Sequence, residues 1–448
     1  MPKPIIPHRA AALALIALSI ALIAGCQGER SGPSETFDPD QPVKLKVMFS
    51  SSDYFYQRYG NMLIGQFPNV EFEVIEQPSG SIEEQKKAIL ASQPDVLLLS
   101  SPLYEALAED GALMDLEPAI ERDKFDLNGI SPSVTELLRE GGSGKLYGLA
   151  PEFSTSVLYY NKDLFNQYGV ELPRDRMSWD DVLKLAQRFP SEGTEEERIY
   201  GFEPESAQGL FDLILDAGTA IGLTPISVDG SNIVIASDSW KKIFASVMQA
   251  YQSNVLHFPS GDIVEQFRND LFTKGRVAIK ENEFFYYSTI ADKQRTEPNS
   301  KPLNFDVATV PVDPANPDVT NALSLNSIFA VSNHSVQKPA AWEVVKYINS
   351  EDLAKVESKT MNGQIPVRKD YVPNKEIFNI EPFFALKPAA KRSSDSAATP
   401  EFKQAFKELA SNELHLVADN AKSLDEAIET IQTEGQQLLD SFLLKATP

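Results

Sequence analysis

PDVLLLS, residues 94–100, is an unbroken apolar run between a proline–aspartate pair and a serine. A run this short and this apolar predicts a strand over Asp95–Leu99 that is buried on both faces, as in the interior of a parallel sheet. Upstream, Ile82–Ser92 has helical spacing, and Val70–Ile75 alternates, with Val70, Phe72 and Val74 on one face and Glu71 and Glu73 on the other. Tyr54–Phe67 is helix-like despite Gly60 and Gly65, and Leu45–Phe49 is a further strand. The order β-α-β-α-β predicts a parallel sheet with helices packed on it. Ligands of such sheets bind beyond the carboxyl ends of the strands. Ser50–Asp53 and Ser100–Ser101 are therefore the loops of interest. Neither contains a glycine-rich phosphate loop, which argues against a nucleotide cofactor.

Downstream, the glycine-punctuated SGKLYGLA (Ser143–Ala150) marks a boundary, and a second α/β unit starts past Pro151. Val157–Tyr160, Phe305–Val310 and Ile328–Val331 are predicted strands. Ser178 caps a helix with Asp180 and Asp181 in its first turn. Further helices are predicted over Ser239–Gln252, Ile263–Lys274 and Lys338–Asn349. Lys387–Pro400, rich in Ser and Ala, reads as an exposed loop. Ser423 and Glu426 form a capping box ahead of Leu424, Ile428, Ile431, Leu438 and Phe442, which recur at helical spacing and predict a docked terminal helix.

The other end of the chain carries an address. Lys3 and Arg9 precede the apolar run Ala10–Ile23, which is too short to span stably, and Cys26 is the single cysteine. The pattern predicts a secretory signal over residues 1–25. Ile23-Ala24-Gly25-Cys26 resembles the bacterial lipobox, which implies that Cys26 is acylated and that residues 26–42 are a flexible tether. The expected location is the extracytoplasmic face of the cell membrane, with the lipidated cysteine as membrane attachment.

About 420 residues would remain, too many for one core, so two domains are expected. One cysteine excludes an internal disulfide, and four histidines leave little for a zinc or copper site. An oxygen-ligand calcium site stays open, without an EF-hand loop. A formal net charge of −23 argues against nucleic acid as partner. Neither G-x-S-x-G nor H-E-x-x-H occurs. With 64 Asp and Glu, a carboxylate pair by itself says nothing about a glycosidase.

Several segments in fixed order carry a family resemblance: PDVLLLSSPLYEALAEDGALMDL (Pro94–Leu116), GKLYGLAPEFSTSVLYYNKDLF (Gly144–Phe165), MSWDDVLKLAQRF (Met177–Phe189), FTKGRVAI (Phe272–Ile279), NSIFAVSNHSVQKPAAWEVVKYI (Asn326–Ile348) and GQIPVRKD (Gly363–Asp370). Together they resemble the family 1 extracellular solute-binding proteins, receptors of ABC importers related to maltodextrin-binding protein. The resemblance implies a two-lobe, type II periplasmic-binding-protein-like α/β fold, each lobe a mostly parallel sheet flanked by helices, with three hinge crossings. Lobe one would hold residues 43–150 and 312–358, and lobe two residues 151–310 and 363–445. The crossings would fall at Ala150 and Pro151, at Pro311 and near Gly363. The implied protein is a monomer without cofactor or metal, whose partners are a carbohydrate and the importer's permease.

By position, the implied ligand-binding residues are Ser52, Asp53, Ser101, Tyr104, Glu152, Asn282, Phe285 and Asn326. Each has a plainer role open to it. Asp53 reads equally as a helix cap, Glu152 as a hinge ion-pair partner, Asn326 as a turn residue and Tyr104 as packing. At least two of Phe284, Phe285, Tyr286 and Tyr287 read as core. The loop after FTKGRVAI lacks the tryptophan of maltose-type relatives, and Trp179, Trp240 and Trp342 all fall in helical contexts. Three other functions stay open: the same fold holding a polyamine, organic anion, peptide or metal chelate; a sensor co-receptor; and an anchored glycosidase.

Overall fold

The computed structural model describes residues 36–446 apart from 195, 206–208, 298–300, 360–362, 374, 376 and 391–398. The signal segment, Cys26 and part of the tether lie outside the described residues, as do parts of the Lys387–Pro400 loop and of the segment around the third crossing. Among the described residues no helix is long and apolar enough to cross a membrane.

The strands in chain order are β1 (Val43–Phe49), β2 (Val70–Glu76), β3 (Val96–Leu99), β4 (Gly148–Leu149), β5 (Glu152–Phe153), β6 (Ser156–Asn161), β7 (Tyr200–Glu203), β8 (Val277–Glu283), β9 (Phe305–Thr309), β10 (Val319–Thr320), β11 (Ile328–Val331), β12 (Ile365–Pro366) and β13 (Lys387–Pro388). Two sheets organise the molecule, ordered β2-β1-β3-β11-β4 and β7-β8-β6-β9. All four residues of β3 are buried, as a central strand requires.

The expectation of mostly parallel sheets needs correction. β1 runs parallel to β2 and β3, but β11 is antiparallel to β3 and β4. In the second sheet only β7 and β8 are parallel, and β6 is antiparallel to both β8 and β9. The reason is topological. β6 and β11 each follow a passage between the sheets, so each enters its sheet against the direction of its neighbours.

Three chain passages lie side by side between the sheets. β5 pairs antiparallel with β12, and Ser154 exchanges backbone hydrogen bonds of 3.0 and 2.9 Å with Ser324. The second passage therefore runs beside the first at Ser324, later than Pro311. The chain first makes an excursion through β10, which pairs with β13. Gly363 lies two residues ahead of β12. The Pro151 carbonyl accepts from Val367 N–H at 3.1 Å, tying the first passage to the third.

Local signals hold well. Ser178 caps the helix Trp179–Ala186 in a reciprocal box with Asp181. Ser423 and Glu426 do the same at 2.6–3.3 Å for the helix Leu424–Ala446, whose Ile428 and Ile431 are buried. The helix predicted from Tyr54 starts at Ser52 and passes through a π-turn at Tyr56–Gly60. Glycine is required there, because a Cβ on Gly60 would meet the Tyr56 ring at 2.6 Å. The helix predicted over Ile263–Lys274 stops at Asn269, where the chain turns Asp270 into the interior.

One face of the second sheet, through Leu158, Phe202 and Ile279, packs on its helices. The opposite face, through Val157, Tyr159 and Val307, joins the apolar cluster that also contains β1 and β3. One apolar cluster thus runs continuously from the first sheet past the crossings to the second.

Candidate functional site

The carboxyl end of β3 in one sheet, and those of β7 and β8 in the other, open onto two cavities that share Thr320 and Asn321 as wall residues. One, of about 510 Å³, is lined by Ser101, Tyr104, Glu105, Glu140 and Leu325. The other, of about 230 Å³, is lined by Ser156, Trp179, Glu205, Asp216, Glu281 and Pro311. Their combined size suits a small-molecule ligand. No Lys, Arg or His lines either cavity among the described residues.

The wall of the smaller cavity is an electrostatic feature in its own right. Glu281 lies on β8, Glu205 just after β7, and Asp216 on the helix Leu210–Ala220. Burial, reinforced by the Glu205 and Asp216 charges, pushes the Glu281 carboxyl up to about 8. Burial also raises Glu205, although the Ser156 hydroxyl and the Glu283 N–H, the latter at 3.2 Å, donate to its carboxylate and favour ionisation. Pushed up to about 8, the Glu281 carboxyl keeps its proton at neutral pH and can donate a hydrogen bond to a polyhydroxylated ligand.

The positions expected to bind ligand divide. Ser52 and Asp53 are exposed in the first turn of the helix after β1 and line neither cavity. Asp53 is not the cap; Ser51 Oγ accepts from Tyr54 N–H at 3.2 Å in that role. Ser101 lines the larger cavity, but its hydroxyl donates to the Leu325 carbonyl at 2.8 Å. Tyr104 stands on the wall of the larger cavity, but its side chain is committed to the protein. It is 1% exposed, donates to the Leu138 carbonyl at 2.9 Å, accepts from Tyr147 N–H at 3.1 Å, and burial pushes its phenol up to about 12.

Glu152 is likewise committed to structure: Arg58 holds it at 2.6 Å and Ser327 Oγ donates to it at 3.1 Å. Asn282 alternates to the face opposite Glu281, and its Oδ1 accepts from Glu283 N–H at 2.9 Å. Phe285 is 55% exposed, whereas Phe284, Tyr286 and Tyr287 are all buried. Asn326 is exposed just ahead of β11. Ala150 is buried between β4 and β5. Pro311 lies on the wall of the smaller cavity rather than at a crossing.

Sequence reasoning missed Glu205, Asp216, Glu281, Trp179, Thr320 and Asn321. For Glu281 a signal was present: it precedes the loop already singled out, on the other face from Asn282. Nothing local marks Asp216, one of two acids in an otherwise mostly apolar helix. Among the described residues no group of three or more His, Cys, Asp or Glu side chains is arranged to hold a metal ion.

Comparison with known proteins agrees with this architecture. The sequence profile described as bacterial extracellular solute-binding protein matches residues 56–355. A binding protein of Brucella abortus (strain 2308) is 27% identical over 285 residues, 60% of this chain and 61% of that protein, so the match leaves over a third of the relative uncovered. The galactooligosaccharide-binding protein of Bacillus subtilis (strain 168) is 24% identical over 381 residues, covering 81% of this chain and 82% of the relative. Among solved structures, the sugar-binding protein MalE of Xanthomonas citri superposes with a TM-score of 0.60 over 90% of this chain and 100% of its own, at 15% identity, which shows the shared two-lobe fold.

Proposed function

This chain belongs to the bacterial extracellular solute-binding proteins, which are receptors rather than enzymes, and from that premise we propose that its cleft captures a carbohydrate, most simply an oligosaccharide, and delivers it to an ABC importer permease. The observation that carries the reading is the pair of adjoining cavities at the carboxyl ends of both sheets, walled by Glu205, Glu281 and Asn321. Carboxyl and amide groups fix sugar hydroxyls, and an exposed aromatic such as Phe285 stacks on a pyranose face. The relative from Bacillus subtilis, named for galactooligosaccharides and aligned over most of both chains, supports the class of ligand. Closure of two lobes about the three passages would bury the sugar and present the closed form to the permease.

In this reading lobe one comprises residues 43–150 and the chain past the second passage at Ser324 as far as 358, and lobe two residues 151–310 and 363–445. Acylation at Cys26 holds the receptor at the extracytoplasmic face of the membrane, and residues 26–42 give it reach.

Ligand-dependent thermal stabilisation tests the reading, since a ligand that binds the native state alone raises its stability. Galactose-, glucose- and arabinose-containing oligosaccharides should include one that raises the unfolding temperature, and Glu281→Gln should weaken that ligand about tenfold or more. A second reading has one observation in its favour: an acidic cavity wall without a basic residue suits a polyamine. Stabilisation by spermidine with none by any sugar would replace the first reading by the second. Cys26→Ala tests the anchor separately: the variant should bind ligand unchanged yet leave the processed membrane fraction.

A further inference from the structure

A third cavity, of about 20 Å³, lies where the helix Lys338–Ile348 ends beside the third passage; Glu152, Asn349, Glu357, Gln364, Val367 and Arg368 are on its wall. Asn349 is 2% exposed. Its amide is oriented by Nδ2, which donates to the Val345 carbonyl at 2.8 Å. That leaves Oδ1 as the buried acceptor, and no donor among the described residues reaches it. Gln364 Oε1, on the same wall, is also buried and without a donor among the described residues.

The nearby donors are committed elsewhere. Arg368 gives Nε and Nη2 to the Asn349 backbone carbonyl at 3.3 and 3.2 Å, and Nη1 to Asp126 at 3.0 Å. Arg58 Nη2 is on Glu152 at 2.6 Å, and Val367 N–H is on the Pro151 carbonyl at 3.1 Å. Buried carbonyl oxygens are almost always satisfied, by protein or by ordered water.

From the two undonated oxygens on one wall we infer that this cavity is a binding site for a single water molecule, which donates one hydrogen bond to Asn349 Oδ1 and the other to Gln364 Oε1. The volume suits one water, which needs about 10–15 Å³ on this measure and at least two polar partners. The water joins the capped end of a helix packed on the first sheet to the residue that leads into β12. It therefore acts in series with the Arg368 bonds to the Asn349 carbonyl, and fixes the start of the third passage. The inference stands on these side chains alone and is independent of what the cleft binds.

A ligand-free crystal structure of the chain, grown once in sodium and once in rubidium salt, tests it. The expected result is one ordered peak without anomalous signal, within hydrogen-bond reach of both oxygens. An anomalous rubidium peak, an unoccupied cavity, or a protein donor on either oxygen overturns it. Thermal unfolding gives a second measurement. A shared water predicts that Asn349→Leu plus Gln364→Leu loses less than the sum of the single losses, by about 2 °C or more. Strictly additive losses overturn the shared site.

Discussion

Lys280 and Glu281 are consecutive on β8, and strand alternation sends them into opposite surroundings. Lys280, its side chain 8% exposed, ion-pairs with Glu203 and lies 2.7 Å from Asp270. Tyr286 donates to Asp270 at 2.8 Å and places its ring 4.7 Å from the ammonium, and His257 Nδ1 lies 2.6 Å from Glu203. Burial works against every charge in this group. Even so, the Lys280 charge holds Asp270 below its ordinary value, and the two carboxylates hold Lys280 above its own. Glu281 meets burial with Glu205 and Asp216 as neighbours instead, and is pushed up to about 8. The sign of the neighbouring charges, more than burial, separates a structural ion cluster from a carboxyl poised to exchange its proton. That difference sets Lys280 in a structural ion cluster and Glu281 on the wall of the smaller cavity.

Breaking the ion cluster should cost most. Lys280→Met leaves Glu203 and Asp270 buried without their cation, and is expected to lose about 3–5 kcal/mol in urea unfolding. A loss below about 1 kcal/mol would show that the two faces do not differ as described. Tyr286→Phe removes one hydrogen bond to a charged acceptor and should cost about 1.5–3 kcal/mol by the same measurement.

Glu281→Gln should act with the opposite sign above neutrality. Its carboxyl binds a proton more tightly in the folded chain than at the ordinary value of 4.5, so the folded state takes up protons between 4.5 and about 8. The stability it contributes is present in full below 4.5 and is lost as pH rises through about 8. The variant should therefore be more stable than the parent at pH 9, on the order of 1–3 kcal/mol, and equal to it near pH 4. Equal stability at both pH values would remove the contrast. The smallest effect is expected of Glu205→Gln, which should lower the Glu281 midpoint in carboxyl-resolved NMR titration by about half a pH unit.

Much of the frame was legible because its signals are local. The capping pairs Ser178/Asp181 and Ser423/Glu426 each lie within one helical turn, and the unbroken Val96–Leu99 run sits in the middle of its sheet. The family's motifs, in order, pointed to two lobes and three passages. Strand direction was less legible, since the period of β6 or β11 is the same whichever way it runs. The candidate site was least legible. Tyr104 and Glu152 occupied plausible positions, but Leu138 and Tyr147 took the tyrosine's hydrogen bonds and Arg58 took the glutamate's charge. Among the four neighbouring aromatics Phe284–Tyr287, only the fold separated exposed Phe285 from its three buried neighbours.

The sequence by itself determined where helices begin, which runs are strands, and the family to which the chain belongs, because periodicity, caps and motif order act over a few residues or along the chain. Tertiary structure alone decided that Glu205, Asp216 and Glu281 share one wall, that Glu203, Asp270 and Lys280 share another, and that Asn349 and Gln364 face one cavity. Those meetings join residues far apart in the chain, and the chemistry of each depends on neighbours that only sheet pairing and helix packing bring into reach.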